Sequence, residues 1–155
     1  MTPRGARFLT LSRWAPFGLA LLTASVGCGK FQQARECGAF VKTVNAWLAR
    51  PSDVAAASAT LPSDPKRIAE ASRRTAQSYE ELSQSLAALH VQSEDLAPRV
   101  QRYQDIATSA TRTLREVADA LDQGDLEKAR QKRVAFDSVA QAEAPLVKEI
   151  NGLCR

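Results

Sequence analysis

Apolar residues recur in steps of three and four along four stretches of this chain, the spacing that keeps them on one face of an α-helix. The first stretch, about Gln32 to Ala49, puts Cys37, Phe40, Val41, Val44, Trp47 and Leu48 on one side and is stopped by Pro51. The second opens at Asp64, a good N-cap, with Pro65 at the first helical position, where its missing N–H costs nothing. Its stripe is Ile68, Ser72, Thr75, Tyr79, Leu82, Leu86 and Leu89. The third is expected to start from Ser93 or Asp95 as cap and carries Leu96, Val100, Tyr103, Ala107, Ala110, Leu114, Val117 and Leu121, widened by Ile106. Gln123-Gly124-Asp125 then joins a left-handed C-cap glycine to an N-cap aspartate, the chemistry of a tight turn between helices. In the fourth stretch Leu126, Ala129, Arg133, Phe136, Ala140, Val147, Ile150 and Cys154 share a face. Arg133 is expected to snorkel out of that seam, and Pro145 to kink the helix near Gln141.

Short connections make neighbouring helices antiparallel, so the pattern predicts an all-α, up-down-up-down four-helix bundle over residues 37–155. His90 to Asp95 forms one turn, and Ser52 to Pro65, rich in Ala, Ser, Pro and Asp, is expected to be a loop with at most one helical turn. This up-down order brings Cys37 and Cys154 to the same end of the molecule.

Before the first helix the pattern changes. Residues 1–27 hold Arg4, Arg7 and Arg13, no acid, and a short apolar run from Trp14 to Thr23 followed by small residues. That run falls short of the roughly 20 apolar residues a membrane span needs, and it suits a signal peptide instead. Those three arginines also account for most of the formal charge of +4, because the rest of the chain holds 18 basic and 17 acidic residues. The balance therefore gives no argument for nucleic-acid binding. The junction Ala24-Ser25-Val26-Gly27-Cys28 resembles the lipobox of bacterial lipoproteins, although Ser25 stands where that motif most often has Leu. The resemblance implies cleavage before Cys28, acylation of Cys28 and a lipidated tether over residues 28–36. Gly29 is not the Asp that retains lipoproteins at the inner membrane, so the resemblance implies an outer-membrane anchor facing the periplasm, with the Gly124 turn pointing away from the lipid. In that oxidising compartment the remaining cysteines, Cys37 and Cys154, are expected to form a disulfide. The composition is also similar to that of small Ala- and Arg-rich helical lipoproteins of Gram-negative bacteria, a likeness that carries no activity.

The chain lacks most of the residues that a chemical site needs. With His90 the only histidine and Met1 the only methionine, haem, di-iron and zinc sites lack their ligands, and no glycine cluster makes a phosphate loop. No cofactor, no metal and no enzymatic activity are expected. His90 is expected to cap the end of the second helix rather than to act as a base with Glu94. A candidate contact surface for an envelope protein or cell-wall polymer is the basic group Arg112, Arg115, Lys128, Arg130 and Lys132, with Arg133 beside it. Glu116, Asp119, Asp122, Asp125 and Glu127 are interspersed, so a solvated mixed-charge face is the simpler expectation, held by Arg112–Glu116 and Arg115–Asp119 pairs. The function expected is a non-catalytic, membrane-anchored periplasmic lipoprotein that works by contact. The alternative is a ligand-binding or sensory bundle with a small apolar molecule between Tyr79 and Tyr103.

Overall fold

The computed structural model describes residues 25–49 and 64–155, with side chains in the first helix from residue 29 onward. The expected signal peptide up to residue 24 and most of the expected loop lie outside the described residues. Within them the chain is helical, with no strand: α1 (Ser25–Leu48), α2 (Pro65–Ala87), α3 (Ala97–Asp122), α4 (Leu126–Gln141) and α5 (Glu143–Leu153). The last two are one rod bent at Ala142, three residues before Pro145, so the kink falls where the missing donor predicts it. Four rods in up-down-up-down order form the bundle.

Cross-helix pairs fix the order. Arg73, early in α2, pairs with Asp122 at the end of α3, and Arg115 reaches Glu80 at 2.6 Å. Between α3 and the last rod, Lys132 meets Glu116 at 2.8 Å and Arg102 meets Glu149 at 3.3 Å. α1 runs against α2, with Glu36 beside the turn after α2 and Trp47 beside Ser78.

Two of the predicted helix ends are built as expected. The Asp64 carboxylate accepts from the Lys66 N–H at 3.0 Å, with Pro65 following. At the second turn Gly124 takes φ +70°, and Asp125 accepts from the Lys128 N–H at 3.0 Å. Open space surrounds a Cβ placed at Gly124, so only backbone strain opposes a side chain there. Gly124→Ala is expected to lower stability by about 1 kcal/mol, measured by urea unfolding with an unchanged m-value. The start of α3 differs from expectation. Leu96 is the cap and no side chain caps the helix; the Ser93 carbonyl accepts from the Leu96 and Ala97 N–H groups at 3.1 and 2.8 Å instead. α1 also begins before the expected start near Gln32, so the stretch assigned to a tether is helical.

The core has two parts. The larger joins Cys37, Phe40 and Val44 of α1 to Leu82, Leu86, Leu96, Val100, Tyr103, Leu146 and Ile150, near the disulfide end. The smaller packs Ala76, Ala110 and Leu114 around Phe136. Alanines with almost no exposed surface, Ala69, Ala76, Ala107, Ala110 and Ala118, line α2 and α3. They let the two helices approach until the Thr111 hydroxyl reaches the Ala76 carbonyl at 3.2 Å while bonding Ala107 in its own helix. Three expected core positions are exposed instead: Leu126 at 60%, Leu48 at 61% and Val41 at 37%. Leu126 is the first residue of α4, directly after the Gly124 turn, whereas among the described residues the core packs against one side of α1 only.

Candidate functional site

The predicted basic surface does not converge on one site. Arg115 is paired with Glu80 across α2 and α3, Lys132 with Glu116 across α3 and α4, and Arg130 with Glu127 within α4 at 2.9 Å. Lys128 stands exposed in the first turn of α4. Arg112 lines a shallow groove of about 440 Å³ between α2 and α3 with Glu80, Thr108, Thr111, Arg115 and Glu116. The expected pairs within α3 give way to pairs between helices, because Glu116 binds Lys132 and Asp119 lies 3.8 Å from Arg73. Arg133 leaves the seam as expected, bonding Asp137 at 3.2 Å with its guanidinium over the Phe136 ring at 5.6 Å. The face is mixed in charge.

The tyrosines lie where the stripes put them, but among rings. Tyr103 is 2% exposed, meets Phe40 edge-on at 5.7 Å and donates its hydroxyl to Glu143. Tyr79 packs between Trp47 at 5.2 Å and Phe136 at 6.2 Å. Trp47, half-buried, donates its indole N–H to the Ser78 hydroxyl at 2.8 Å and carbonyl at 3.0 Å. Burial pushes the Tyr79 phenol up to about 12, helped by the charge of Glu143, and drives Tyr103 higher still, helped by its hydrogen bond to Glu143. Both stay protonated at neutral pH and act as packing groups with a polar end. Neither lines the groove described above.

A third arrangement has no signature in the local sequence pattern, because its partners lie far apart along the chain. The Glu36 carboxylate caps the α2–α3 turn, accepting from the Ser93 N–H at 3.0 Å, the Gln92 N–H at 3.2 Å and the Gln32 side chain at 2.9 Å. Desolvation acts to raise its pKa, but these three hydrogen bonds and the Arg35 charge together hold it below the usual 4.5. A depressed carboxylate stabilises the fold above its unfolded pKa and loses that contribution as the pH falls. Glu36→Gln is therefore expected to be less stable than the parent at pH 7 by about 1 kcal/mol or less. The gap should close below pH 4.5, as read by thermal melts across pH.

Beside Glu36 lies the disulfide. Cys37, 4% exposed, is bonded to Cys154 with their Cα atoms 5.5 Å apart, tying α1 to the end of α5. Cys28 falls in the helical N-terminal part of α1, at the same end. His90 occupies the α2–α3 turn with φ 47°, a left-handed conformation histidine tolerates better than most residues, while Ala88 caps α2 with its own N–H. Among the described residues no cluster of His, Cys, Asp or Glu is arranged to hold a metal ion, and no described helix is long and apolar enough to cross a membrane. The chain matches no family profile, and neither a characterised protein nor a solved structure is significantly similar to it.

Proposed function

We propose that this chain is an exported bacterial lipoprotein, held to the outer membrane by acyl chains on Cys28, whose bundle is a non-catalytic contact module in the periplasm. The observation that carries the proposal is the placement of Cys28, directly after a basic and then apolar segment and a run of small residues. The Cys37–Cys154 bond supports it, since structural disulfides persist in oxidising compartments and are rare in the cytosol. Two or three acyl chains, each CH₂ contributing about 0.8 kcal/mol on burial, would make such an anchor durable. In this role the bundle presents surface rather than chemistry, and its partner is an envelope protein or cell-wall polymer.

Growth with labelled palmitate tests the anchor. Label should enter the parent protein and sediment with outer membranes, and Cys28→Ala should take up none. Equal labelling of both proteins, or a parent found only in the soluble periplasm, would refute the anchor. Crosslinking in intact envelopes tests the contact role, which fails if no partner is captured reproducibly.

A further inference from the structure

α1 carries a second stripe, on the side away from the bundle. Phe31, Ala34, Gly38, Val41, Asn45 and Leu48 recur in steps of three and four and are all exposed, Phe31 at 75%. A helix covered on one side rarely keeps three large apolar side chains on the other without a use for them. The charges on that side decide among occupants. Its ionisable residues, Lys30, Arg35 and Lys42, are all basic, and the one acid of α1, Glu36, is turned to the α2–α3 turn. A second copy of the chain would set Arg35 and Lys42 against their own equivalents, a like-charge contact that opposes pairing. A surface that offers both hydrocarbon and negative charge matches the apolar and basic positions together. The basic character continues past the disulfide, where Lys30 and Arg155 line a shallow groove of about 400 Å³ with Gln33 and Leu153.

We infer that α1 lies along an anionic bilayer surface, with Phe31, Val41 and Leu48 entering the headgroup region and Lys30, Arg35 and Lys42 meeting lipid phosphates. This rests on the anchor proposed above and makes it specific: the bundle lies on its side, not on its disulfide end. A helix of this length has about 36 Å of contact line, and the α3–α4 side is left facing the periplasm.

The test uses the native protein purified from membranes and reconstituted in vesicles of phosphatidylethanolamine and phosphatidylglycerol that carry a trace of phosphatidylcholine with a photoactivatable diazirine in its acyl chain, the same trace being present in every vesicle compared. Labelling should run the length of the outer α1 stripe, reaching Val41 and Leu48 as well as Phe31, and should fall by about fivefold in phosphatidylcholine vesicles. A Val41→Glu/Leu48→Glu variant, altered only at exposed positions, should keep its melting temperature and its vesicle association while losing label at residues 38–48. Label confined to residues 28–34 and the α2–α3 turn means end-on attachment and overturns the inference while leaving the anchor intact. So does an outer stripe shielded by a co-purifying protein in place of lipid. Protein found without acyl chains refutes the anchor instead, and labelling of its α1 stripe on phosphatidylglycerol vesicles, or the lack of it, then decides the inference by itself.

Discussion

Replacing Cys37 and Cys154 together by alanine should lower the stability of the bundle by about 4–5 kcal/mol, the largest effect expected of any small change in this chain. The bond closes a loop of 117 residues, and the chain-entropy cost of the open unfolded state grows with the length of the loop. For a domain of this size that corresponds to a fall of roughly 15–20 °C in melting temperature. The loss should also be uneven. Besides the disulfide and its share of the larger core, α1 is joined to the rest by the Glu36 cap and by Trp47 on Ser78 and Tyr79. The α2–α3 pair has a continuous buried seam of its own. Amide exchange in the double variant should therefore speed up first in α1 and the end of α5, with α2 and α3 still protected. Uniform acceleration across all four rods, or a melting temperature within a few degrees of the parent, would show that the bond is not what holds α1.

The second large effect is expected at Tyr103. This side chain touches three rods at once: it sits in α3, meets the Phe40 ring of α1 and donates to Glu143 at the start of α5. Tyr103→Ala removes the ring from a site with 2% exposure and should cost about 3–5 kcal/mol. Tyr103→Phe keeps the ring and deletes only the hydrogen bond, so its cost should be about 1–2 kcal/mol. The ratio is informative. If the two variants were equally unstable by urea unfolding, the Glu143 contact and not the packing would be the main contribution at this position. Near equality with the parent for both would mean that the space between α1 and α3 collapses freely.

Much of this fold is written in local signals. Asp64-Pro65, Gly124-Asp125 and Pro145 act within one turn of themselves, through a cap, a left-handed residue and a missing donor, so they can be read without knowing what packs nearby. The period of the apolar residues gave the four rods and, through their antiparallel order, the meeting of Cys37 with Cys154. What was not legible depends on neighbours distant in sequence. Alanine is too common in helices to mark a seam, so the close approach at Ala76 and Thr111 has no signature in the pattern. Glu143 lies forty positions from the tyrosine it binds, and Glu36 caps a turn more than fifty positions on. The ion pairs expected within α3 were displaced because Arg73 and Lys132 on neighbouring helices reach Asp119 and Glu116. Val41 and Leu48 share a periodicity with the core positions, but only the placement of α2 and α5 shows that they are uncovered. The candidate contact surface was least legible of all, since a row of basic residues reads the same whether it is paired across helices or open to a partner.

One measurement bears on the central claim that this is an anchored bundle closed by its own disulfide in an oxidising compartment. Mass spectrometry of the native protein, digested without reducing agent, should show an N-terminal peptide beginning at Cys28 that carries acyl chains. It should also show one linked species joining the peptides of Cys37 and Cys154. A protein that keeps residues 1–27, or that yields Cys28, Cys37 and Cys154 as free thiols, would contradict it.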